Sequence, residues 1–483
     1  MLFNNKNWKS MKYKTIVAAF MCCCVVKTQP SLAQTLESPR AEWTKASVIL
    51  MHTPGEELFN GVIHPEAGLF EDYFDVDLAA KEHQHYIDVL RGCGAEVHTV
   101  REMLEQAPRE ELRLLAEKLL TYDTSHMEPT EGLDEQTEQY RQQVLDKMSQ
   151  ADLVRVILLQ PTVELHQTSI NTGLEARYVQ TPLMNLYFCR DQSISTPAGQ
   201  IVCRLNSSQR FPEADIIDLC YRQLGYDPVY RIQGEDSRLE GGDYIPFGTI
   251  GLLGCGLRTN QGAIDEMLQA DVIGHDTLVV VRDRWKDQYQ MHLDTYFNVI
   301  DRDLCTLCFN RYDATSADDI NFLTISMYAR QPGTKDYHEV EAVEGQAFRD
   351  FMEQRGVKFI RVSKEDADHY GNNFLCLEGR HIACVAGQSE AYQQALADEG
   401  VTVEWIPLDQ LTKGYGAAHC MTQVMRRQAY AGTPITAIAP GRFVTGTAGT
   451  AAVAPLYNLQ GQRAAEQPAK GIYVAKGKKV AVK

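Results

Sequence analysis

The chain has 483 residues, enough for two or three average domains or for one large repetitive α/β unit. Its 47 Lys and Arg residues stand against 64 Asp and Glu residues, which gives a formal net charge of −17. An acidic chain lacks the basic surface that nucleic-acid binding requires, so we expect no nucleic-acid partner. The charge leaves room for a small cationic substrate.

The N-terminus has the composition of a secretory signal. Lysines precede the apolar run 16–26, and small residues suited to cleavage stand just before Gln34. The run is too short to span a bilayer and ends at Lys27, so we expect no stable membrane span. The sequence therefore predicts a signal peptide at 1–33 and an exported protein that is periplasmic, cell-surface or secreted.

The region after the signal alternates between strand and helix patterns. The apolar run 47–52 predicts a buried strand, 79–90 an amphipathic helix and 95–100 a second strand. This is an α/β unit, and the pattern returns after residue 185 without a clean sequence repeat. The later predicted strands are 186–189, 251–254, 277–281, 374–377, 382–385 and 402–406, and a further helix is predicted at 393–400.

Two segments interrupt or follow this α/β body, which we place at 46–430. From about 101 to 150, leucines recur at helical spacing with no strand pattern between them, which predicts a helical insertion. Residues 431–455 have the Ala/Gly/Thr/Val composition of a linker.

The C-terminal segment 456–483 is basic, whereas the body is acidic. Two short apolar runs flank a Lys-Gly-Lys turn, which predicts a small β-hairpin. The tail resembles the C-terminal sorting domains of type IX secretion substrates, which would make the secretion machinery a partner. A hairpin that only stabilises the fold is the alternative.

The cysteines do not form a recognisable framework. Ten of the thirteen remain after the signal, spread singly through apolar segments, as is typical of core thiols. Cys305 and Cys308 form the only close pair, and no second pair or His pair lies at zinc-site spacing, so we predict no metal. The sequence assigns no disulfides.

Gly414 to Met421 is the most informative stretch. Two glycines and two alanines lead to Cys420, so the backbone can turn tightly and a ligand can approach closely. A cysteine at such a loop is a candidate nucleophile if its surroundings hold it as a thiolate. Taken alone, the segment favours a buried thiol after a turn, and it is the other motifs that change this interpretation.

Three further segments supply acids and a histidine. Arg190-Asp191 follows the predicted strand 186–189, Glu240 and Asp243 flank two glycines, and His292 and Asp294 would share one face of an extended strand. Each has a structural interpretation: an ion pair, a loop cap, and a core histidine bonded to Asp294. Together they offer a nucleophile, an acid/base and several carboxylates, as a cysteine enzyme acting on a guanidinium requires.

With these motifs in order, the chain resembles the arginine deiminase family of guanidino-group modifying enzymes. The resemblance runs from about His52 to Met421 and includes a helical insertion. The motifs that carry it are His52 to Glu56, Asn185 to Phe188, Arg190-Asp191, Glu240 to Asp243, Arg258-Thr259, His292 to Thr295, and Gly414 to Met421.

The resemblance implies a five-bladed pseudo-symmetric α/β propeller, amidinotransferase-like, with the site at its centre. Cys420 would attack the guanidinium carbon and form a covalent amidino-thioether. His292 would protonate the departing ammonia and then activate water, Glu240 would orient His292, and Asp191 and Asp294 would hold the guanidinium nitrogens. The implied substrate-binding residues are Asn185, Arg210, Asp243, Arg258 and Tyr415.

Tyr415 stands where arginine deiminases usually have an arginine that binds the substrate carboxylate. We expect hydrolysis of L-arginine or a close guanidino compound to citrulline and ammonia, with no cofactor. The alternatives are hydrolysis of agmatine, methylarginine or peptidyl arginine, and a non-catalytic guanidinium-binding protein. A papain-like peptidase would need a signature that is not present in the chain. Homo-oligomerisation is left open.

Overall fold

The computed structural model describes residues 40–430 and, for the backbone alone, 471–475 and 478–482. The predicted signal peptide at 1–33 and linker at 431–455 lie outside the described residues. The chain divides into two units near residue 435. In the second unit, the strands 471–475 and 478–482 pair antiparallel as a hairpin. No helix of the described residues is long and apolar enough to cross a bilayer.

The described elements alternate between strands and helices along most of the chain. The strands are β1 (Ala46–Met51), β2 (Glu96–Thr99), β3 (Thr121–Asp123), β4 (Pro161–Gln167), β5 (Leu174–Gln180), β6 (Ser193–Thr196), β7 (Gly199–Val202), β8 (Tyr230–Arg231), β9 (Tyr244–Phe247), β10 (Ile250–Cys255), β11 (Thr277–Arg282), β12 (Phe297–Asp301), β13 (Leu304–Cys308), β14 (Thr324–Arg330), β15 (Tyr337–Glu339), β16 (Lys358–Val362), β17 (Leu375–Glu378), β18 (His381–Val385), β19 (Thr402–Ile406), β20 (Gln423–Arg427), β21 (Gly471–Ala475) and β22 (Lys478–Val482). The α-helices are α1 (Glu56–Val62), α2 (Val76–Gly92), α3 (Val100–Gln106), α4 (Arg109–Leu119), α5 (Leu133–Lys147), α6 (Gln150–Leu159), α7 (Phe211–Gln223), α8 (Gln261–Ala270), α9 (Leu293–Tyr296), α10 (Phe309–Asp313), α11 (Phe348–Glu353), α12 (Lys364–Asp368) and α13 (Glu390–Asp398).

Five sheets within residues 40–430 share one pattern. In each, one strand has an antiparallel neighbour on one side and a parallel neighbour on the other: β6-β7-β8, β9-β10-β11, β12-β13-β16, β17-β18-β19 and β20-β1-β2. The second of these is part of a five-stranded sheet that continues from β11 to β14 and β15. The antiparallel neighbour is reached by a tight turn in four of them, and the parallel neighbour needs a crossover connection. The last sheet joins the two ends of the body, because β20 pairs with β1. The α/β class and the pseudo-repeat predicted from sequence are therefore present.

Most predicted strands are confirmed, but Leu186 to Cys189 is not a strand. These residues form consecutive turns, with Leu186 N–H donating to Leu183 O and Phe188 N–H to Asn185 O. Tyr187 and Phe188 pack in one hydrophobic cluster, and Leu186 and Cys189 pack in another. A turn buried between two clusters has the same continuous apolar pattern as a buried strand, so periodicity cannot separate them.

The insertion is longer than predicted and is not wholly helical. It runs from α3 to β5 and includes the three-stranded sheet β3-β4-β5 as well as α3, α4, α5 and α6. The leucine positions behave as predicted, since Leu112, Leu115 and Leu145 are buried in one cluster. The strand β3 has only three residues, too few for an alternating pattern to be visible in the sequence.

The body begins before residue 46, where the sequence placed its start. Ala41, Glu42 and Trp43 are buried, and the Trp43 ring contacts the Phe247 ring edge-on at 4.9 Å. The Glu42 N–H donates to Pro246 O at 2.9 Å, which ties this segment to β9. Residues 41–45 therefore belong to the α/β body.

Candidate active site

The candidate residues come from equivalent places in the five sheets. Asp191 lies in the loop before β6, Asp243 precedes β9, Asp294 precedes β12 within α9, Asn373 precedes β17 and Cys420 precedes β20. Each sheet thus contributes one loop at the start of its antiparallel edge strand. Residues distant in sequence are brought together because the structural unit repeats.

Seven of the ten predicted site residues line one pocket. They are Asn185, Asp191, Arg210, Arg258, His292, Tyr415 and Cys420, joined by Leu69, Phe188, Gln288, Met291 and Gly414. The pocket contains about 430 Å³ of space, including the part open to solvent. Glu240, Asp243 and Asp294 are not among its lining residues, although Asp294 lies 3.6 Å from the sulfur of the lining residue Cys420.

Cys420 is held in place through its backbone. The N–H groups of Cys420 and Ala417 both donate to Asn373 Oδ1, at 3.1 and 3.0 Å. The Cys420 Sγ lies 3.6 Å from Asp294 Oδ2 and 3.9 Å from Oδ1. Burial and the Asp294 carboxylate raise the pKa of Cys420 to about 12, although His292 acts in the opposite direction. Without a bound cation, Cys420 is therefore a thiol.

His292 and Glu240 form a buried ion pair. The His292 Nε2 lies 2.7 Å from Glu240 Oε2, and Nδ1 lies 3.9 Å from Asp191 Oδ1. Burial lowers the pKa of His292, but Asp191, Cys420 and Glu240 together raise it well above its ordinary value of 6.5. Burial likewise opposes ionisation of Glu240, while His292 and Arg258 lower its pKa. His292 is therefore protonated and can act as an acid.

The predicted extended strand at His292 and Asp294 is wrong. His292 is the residue before the short helix α9, which contains Asp294, and the two side chains have different partners. His292 bonds to Glu240, whereas Asp294 Oδ2 accepts from His419 Nδ1 at 2.6 Å. The alternative of a core histidine bonded to Asp294 is excluded by the same contacts.

Arg210 is already engaged by the protein. Its Nη1 donates to Asp191 Oδ2 at 2.8 Å, its Nε and Nη2 donate to Glu213, and Nη2 also contacts Asn185 O at 3.3 Å. Asp191 Oδ1 has no hydrogen-bond partner and is buried. Arg210 is thus positioned to hold Asp191, and the acceptor that is available to a ligand is Asp191 Oδ1.

The structural alternative of an ion pair between Arg190 and Asp191 is not what the contacts show. Arg190 Nε donates to His419 O at 3.3 Å, and Nη2 donates to Thr422 Oγ1 at 3.4 Å. Arg190 therefore stabilises the loop that carries Cys420, while Asp191 lines the pocket.

Asp243, predicted to bind substrate, lies behind His292. Its Oδ1 accepts from Leu293 N–H at 2.9 Å, and burial raises its pKa to about 6. It therefore fixes the backbone at the start of α9. Arg258 does line the pocket: its Nη2 donates to Gln288 Oε1 at 3.2 Å, and its Nε has no partner.

Tyr415 lies at the edge of the pocket in the left-handed backbone region, with φ of 66°. Its ring contacts the Tyr289 ring edge-on at 5.2 Å. Burial, Tyr289 and Glu71 raise the pKa of Tyr415, so the side chain is neutral at ordinary pH.

Metal-ligand atoms approach one another in three places among the described residues. Asp191, Glu240 and His292 form one group within 4.8 Å, and the others are Cys93-His381-Glu404 and His126-Glu164-His166. In the pocket group, His292 Nε2 bonds to Glu240 and one Asp191 oxygen bonds to Arg210. These atoms therefore serve ion pairs in this arrangement.

The family model described as arginine deiminase matches residues 67–427, most of the chain. The chain belongs to the arginine deiminase family. It is 24% identical over 481 residues to the arginine deiminase of Halobacterium salinarum, covering 80% of this chain and 96% of that protein. The Mycoplasma capricolum arginine deiminase is 28% identical over 415 residues, covering 79% and 94%.

Solved structures of guanidino-group enzymes are also similar. DDAH from Pseudomonas aeruginosa complexed with citrulline has 15% identity and a TM-score of 0.46, over 78% of this chain and 98% of that one. The N-terminal domain of ArgZ, an arginine dihydrolase from cyanobacteria, has 16% identity and a TM-score of 0.47, over 79% and 97%. Membership of the arginine deiminase family rests on the family match.

Sequence reasoning missed two residues of this arginine deiminase-family site. Asn373 stands just before a correctly predicted strand, as the other site residues do, and that position was the available signal. His419 is fully buried and adjoins Cys420 in the chain, but its partner Asp294 is distant in sequence. No local pattern indicates that contact.

Gly242 allows His292 to take its place, and replacing it should impair catalysis. A Cβ at Gly242 would lie 2.8 Å from Cγ and Nδ1 of His292, so the ring must move. We expect Gly242→Ala to lower kcat/KM for a guanidino substrate about 100-fold, as misplacement of a catalytic group by about 1 Å does. The measurement is the rate of ammonia release at a series of substrate concentrations, which gives kcat/KM.

Gly262→Ala is the matched control. Gly262 lies in α8, and the nearest atom to its added Cβ, Ser237 Oγ, would be at 3.4 Å. We expect wild-type kinetics for this variant. Equal kinetics in the two alanine variants would contradict the close approach of Gly242 to His292.

Proposed function

We propose that this protein hydrolyses L-arginine, or a close guanidino compound, to citrulline and ammonia through a covalent amidino-thioether on Cys420. We further propose that the five sheets are the blades of a pseudo-symmetric α/β propeller with the pocket on its axis. The observation that carries the function is the placement of the Cys420 thiol in a pocket beside the unpaired oxygen of Asp191, with Asp294 at 3.6 Å.

The charges of the pocket suit a guanidinium cation. Asp191 Oδ1 is a buried acceptor without a hydrogen-bond partner, and the Asp294 oxygens lie 3.6 and 3.9 Å from the Cys420 sulfur. Two carboxylates match the planar fork of donors on a guanidinium. A bound cation also offsets the negative charge that raises the pKa of Cys420, so substrate binding favours the thiolate.

The chemistry then follows in two halves. When the cation binds, the Cys420 thiol gives its proton to solvent, and the thiolate attacks the guanidinium carbon. The tetrahedral adduct collapses, and ammonia leaves with a proton from the His292 imidazolium. Water then attacks the amidino-thioether and gives one proton to His292. The carbon–sulfur bond breaks as the hydroxyl of this second adduct gives up its remaining proton to the sulfur, which releases the neutral ureido product and regenerates the Cys420 thiol. Glu240 keeps His292 oriented through both proton transfers.

The test of this function is a covalent adduct on one cysteine. Purified protein incubated with arginine should release citrulline and ammonia, and Cys420→Ser and Cys420→Ala should abolish turnover. Acid-quenched reactions of the wild type or a slow His292 variant should carry the added mass on the Cys420 peptide. Cys384, a buried thiol in β18 that does not line the pocket, gives the matched control in Cys384→Ala, which should turn over normally. An adduct mapped to another cysteine would rule out this assignment.

A second candidate function is hydrolysis of a guanidino substrate without a free carboxylate, such as agmatine. It is favoured by the side chains of Tyr415 and Arg210. Tyr415 replaces the arginine usual in the family, and the donors of Arg210 are directed to Asp191 and Glu213. Arg258 keeps an unpaired Nε for a carboxylate. We favour arginine because Asn185 and Arg258 both line the pocket and would be poorly used by agmatine.

Tyr415→Arg should raise the preference for arginine over agmatine. Arginine supplies a charge and forked donors to a carboxylate, and either side chain occupies the same left-handed backbone, so the exchange isolates the side-chain effect. We expect the ratio of kcat/KM for arginine to that for agmatine to rise about tenfold, or about 1.4 kcal/mol.

Tyr415→Phe, which removes only the hydroxyl, is the control and should leave that ratio unchanged. The same panel includes methylarginine and an arginine-containing peptide. If wild-type protein uses agmatine or the peptide tenfold better than arginine, the substrate is reassigned and the cysteine chemistry is retained.

We also propose that the protein is exported and that its tail is a sorting signal. The support is the sequence: the basic and apolar N-terminus, the linker composition and the basic terminal hairpin. Deletion after Tyr430 should leave the purified enzyme active, because every proposed site residue precedes that point, but should stop delivery beyond the periplasm. Fractionation of cells expressing each form decides this, and loss of fold in the truncated protein would refute it.

A further inference from the structure

A line of buried ionisable groups leads away from Cys420. Asp294 Oδ2 lies 3.6 Å from the Cys420 sulfur and 2.6 Å from His419 Nδ1, and His419 Nε2 lies 3.6 Å from Glu42 Oε1. Asp294 and His419 are fully buried, and Glu42 is 2% exposed. Behind them, Arg427 pairs with Glu42.

The members of this line come from distant parts of the chain. Asp294 is in α9, His419 is in the cysteine loop, and Glu42 precedes β1, outside the segment 67–427 that matches the family. They meet because β20 pairs with β1 and closes the body.

His419 has little freedom to change partners. Its N–H donates to Asn373 O at 3.0 Å, and its carbonyl accepts from Arg190 Nε at 3.3 Å, so its backbone is fixed on both sides. Its Nε2 is buried and has no hydrogen bond, with Glu42 as the nearby anion. The ring is therefore directed to Asp294 on one side and to Glu42 on the other.

Glu42 is equally well fixed. Arg427 is buried and donates to Thr44 O at 2.7 Å and to Cys376 O at 2.9 Å, in addition to Glu42. Burial opposes ionisation of Glu42, but Arg427 and His419 lower its pKa to about 2. Glu42 therefore presents a permanent negative charge to the far side of the His419 ring.

His419 in turn affects the ionisation of Asp294. A carboxylate buried without a donor loses its charge readily, because desolvation favours the neutral acid. Burial acts on Asp294 in that direction, and the His419 hydrogen bond and charge reverse it, so that the pKa of Asp294 is lowered. An ionised Asp294 is what the proposed reaction needs to hold a guanidinium.

We propose that His419, backed by Glu42, is a positioning residue that keeps Asp294 ionised and correctly oriented beside Cys420. The role rests on the proposed function, because the ionised Asp294 is assigned there to the substrate cation. His419 touches neither substrate nor sulfur and acts only through Asp294.

This role differs measurably from simple packing. If His419 is lost, Asp294 takes up a proton and the negative charge beside Cys420 disappears. Cys420, which faces Asp294, Asp191 and His292, then ionises at lower pH. Turnover should fall while the thiol becomes more reactive. Loosened packing would also hydrate the thiol and lower its pKa. The role is therefore separated from packing by a substitution that removes the imidazole but restores a donor to Asp294.

The experiment compares His419→Leu with His419→Asn. Leucine has no donor, whereas the asparagine amide can donate from about the position of Nδ1. The first measurement is kcat/KM for the wild-type substrate. We expect a 10- to 100-fold loss in His419→Leu, the range of a hydrogen bond to a charged group, and recovery of most of it in His419→Asn.

The second measurement needs no substrate. The rate of iodoacetamide addition to Cys420, followed by peptide mapping across pH, gives the midpoint of thiol ionisation. His419→Leu should move this midpoint to lower pH, as Asp294→Asn should, and His419→Asn should keep the wild-type midpoint. Glu42→Gln should move it the same way but less, and it tests the proposal if His419→Leu does not fold.

His275→Leu is the matched control. His275 is also buried, and its Nε2 contacts Tyr244 Oη at 3.1 Å, outside the pocket. It should lose stability without moving the Cys420 midpoint. An unmoved midpoint in both His419→Leu and Glu42→Gln, or a loss in His419→Asn as large as in His419→Leu, overturns the positioning role. If no guanidino substrate is turned over, the proposed function fails, and the alkylation comparison still decides whether His419 controls Asp294.

Discussion

The structure of the site depends on giving each of three buried carboxylates its own charged or hydrogen-bonding partner. Asp191, Glu240 and Asp294 are each 4% exposed or less, and an isolated carboxylate in such a place would be neutral. Each has its own cationic or donor partner: Arg210 for Asp191, His292 for Glu240 and His419 for Asp294. Removing one partner of a buried pair costs more than the pair contributes, because the other charge is left uncompensated. The surrounding fold therefore has to place Arg210, His292 and His419, which come from separate segments of the chain, beside these carboxylates.

The repeated sheet pattern explains how so many charged groups reach one place. Each sheet supplies a loop just before its antiparallel edge strand, and these loops carry Asp191, Asp243, Asp294, Asn373 and Cys420. Loops at the same position in different sheets have different roles. One carries the Cys420 sulfur and others carry carboxylates. Asn373 accepts hydrogen bonds from the backbone of the loop that carries Cys420. Function is divided among equivalent positions, so the repeated sheet pattern is not visible as a repeat in the sequence.

The sequence predicts the parts of the site that local chemistry dictates. The glycines beside Cys420 and between Glu240 and Asp243 mark places of close approach, and Gly242 does lie against His292. The buried strand at 277–281 is predicted because its apolar run has the length of a strand and no competing interpretation. The turn at Leu186 to Cys189 is not predicted, because its apolar residues are divided between two hydrophobic clusters that only the folded chain defines.

The direction of charged side chains is a second property that the sequence leaves undetermined. Arg210 was expected to face the amino-acid end of the substrate, and its donors are instead directed to Asp191 and Glu213. Arg190 and Asp191 are neighbours in the chain but have separate partners. Glu42 reaches His419 only because the first and last strands of the body pair. Such contacts depend on the closure of the whole chain, which no local pattern contains.

These charges also bear on how a substrate would be distinguished from its product. Burial and Asp294 raise the pKa of Cys420 to about 12, which favours the thiol. A guanidinium adds one positive charge beside the sulfur and favours the thiolate, whereas the ureido group of the product is neutral and does not. On the proposed function, the nucleophile is activated by the same charge that the reaction removes. The arrangement therefore favours attack on the substrate and return to the thiol once the product has formed, and it requires the carboxylates to stay ionised throughout the cycle. That requirement gives Asp294, and the histidine that holds it, a part in every step.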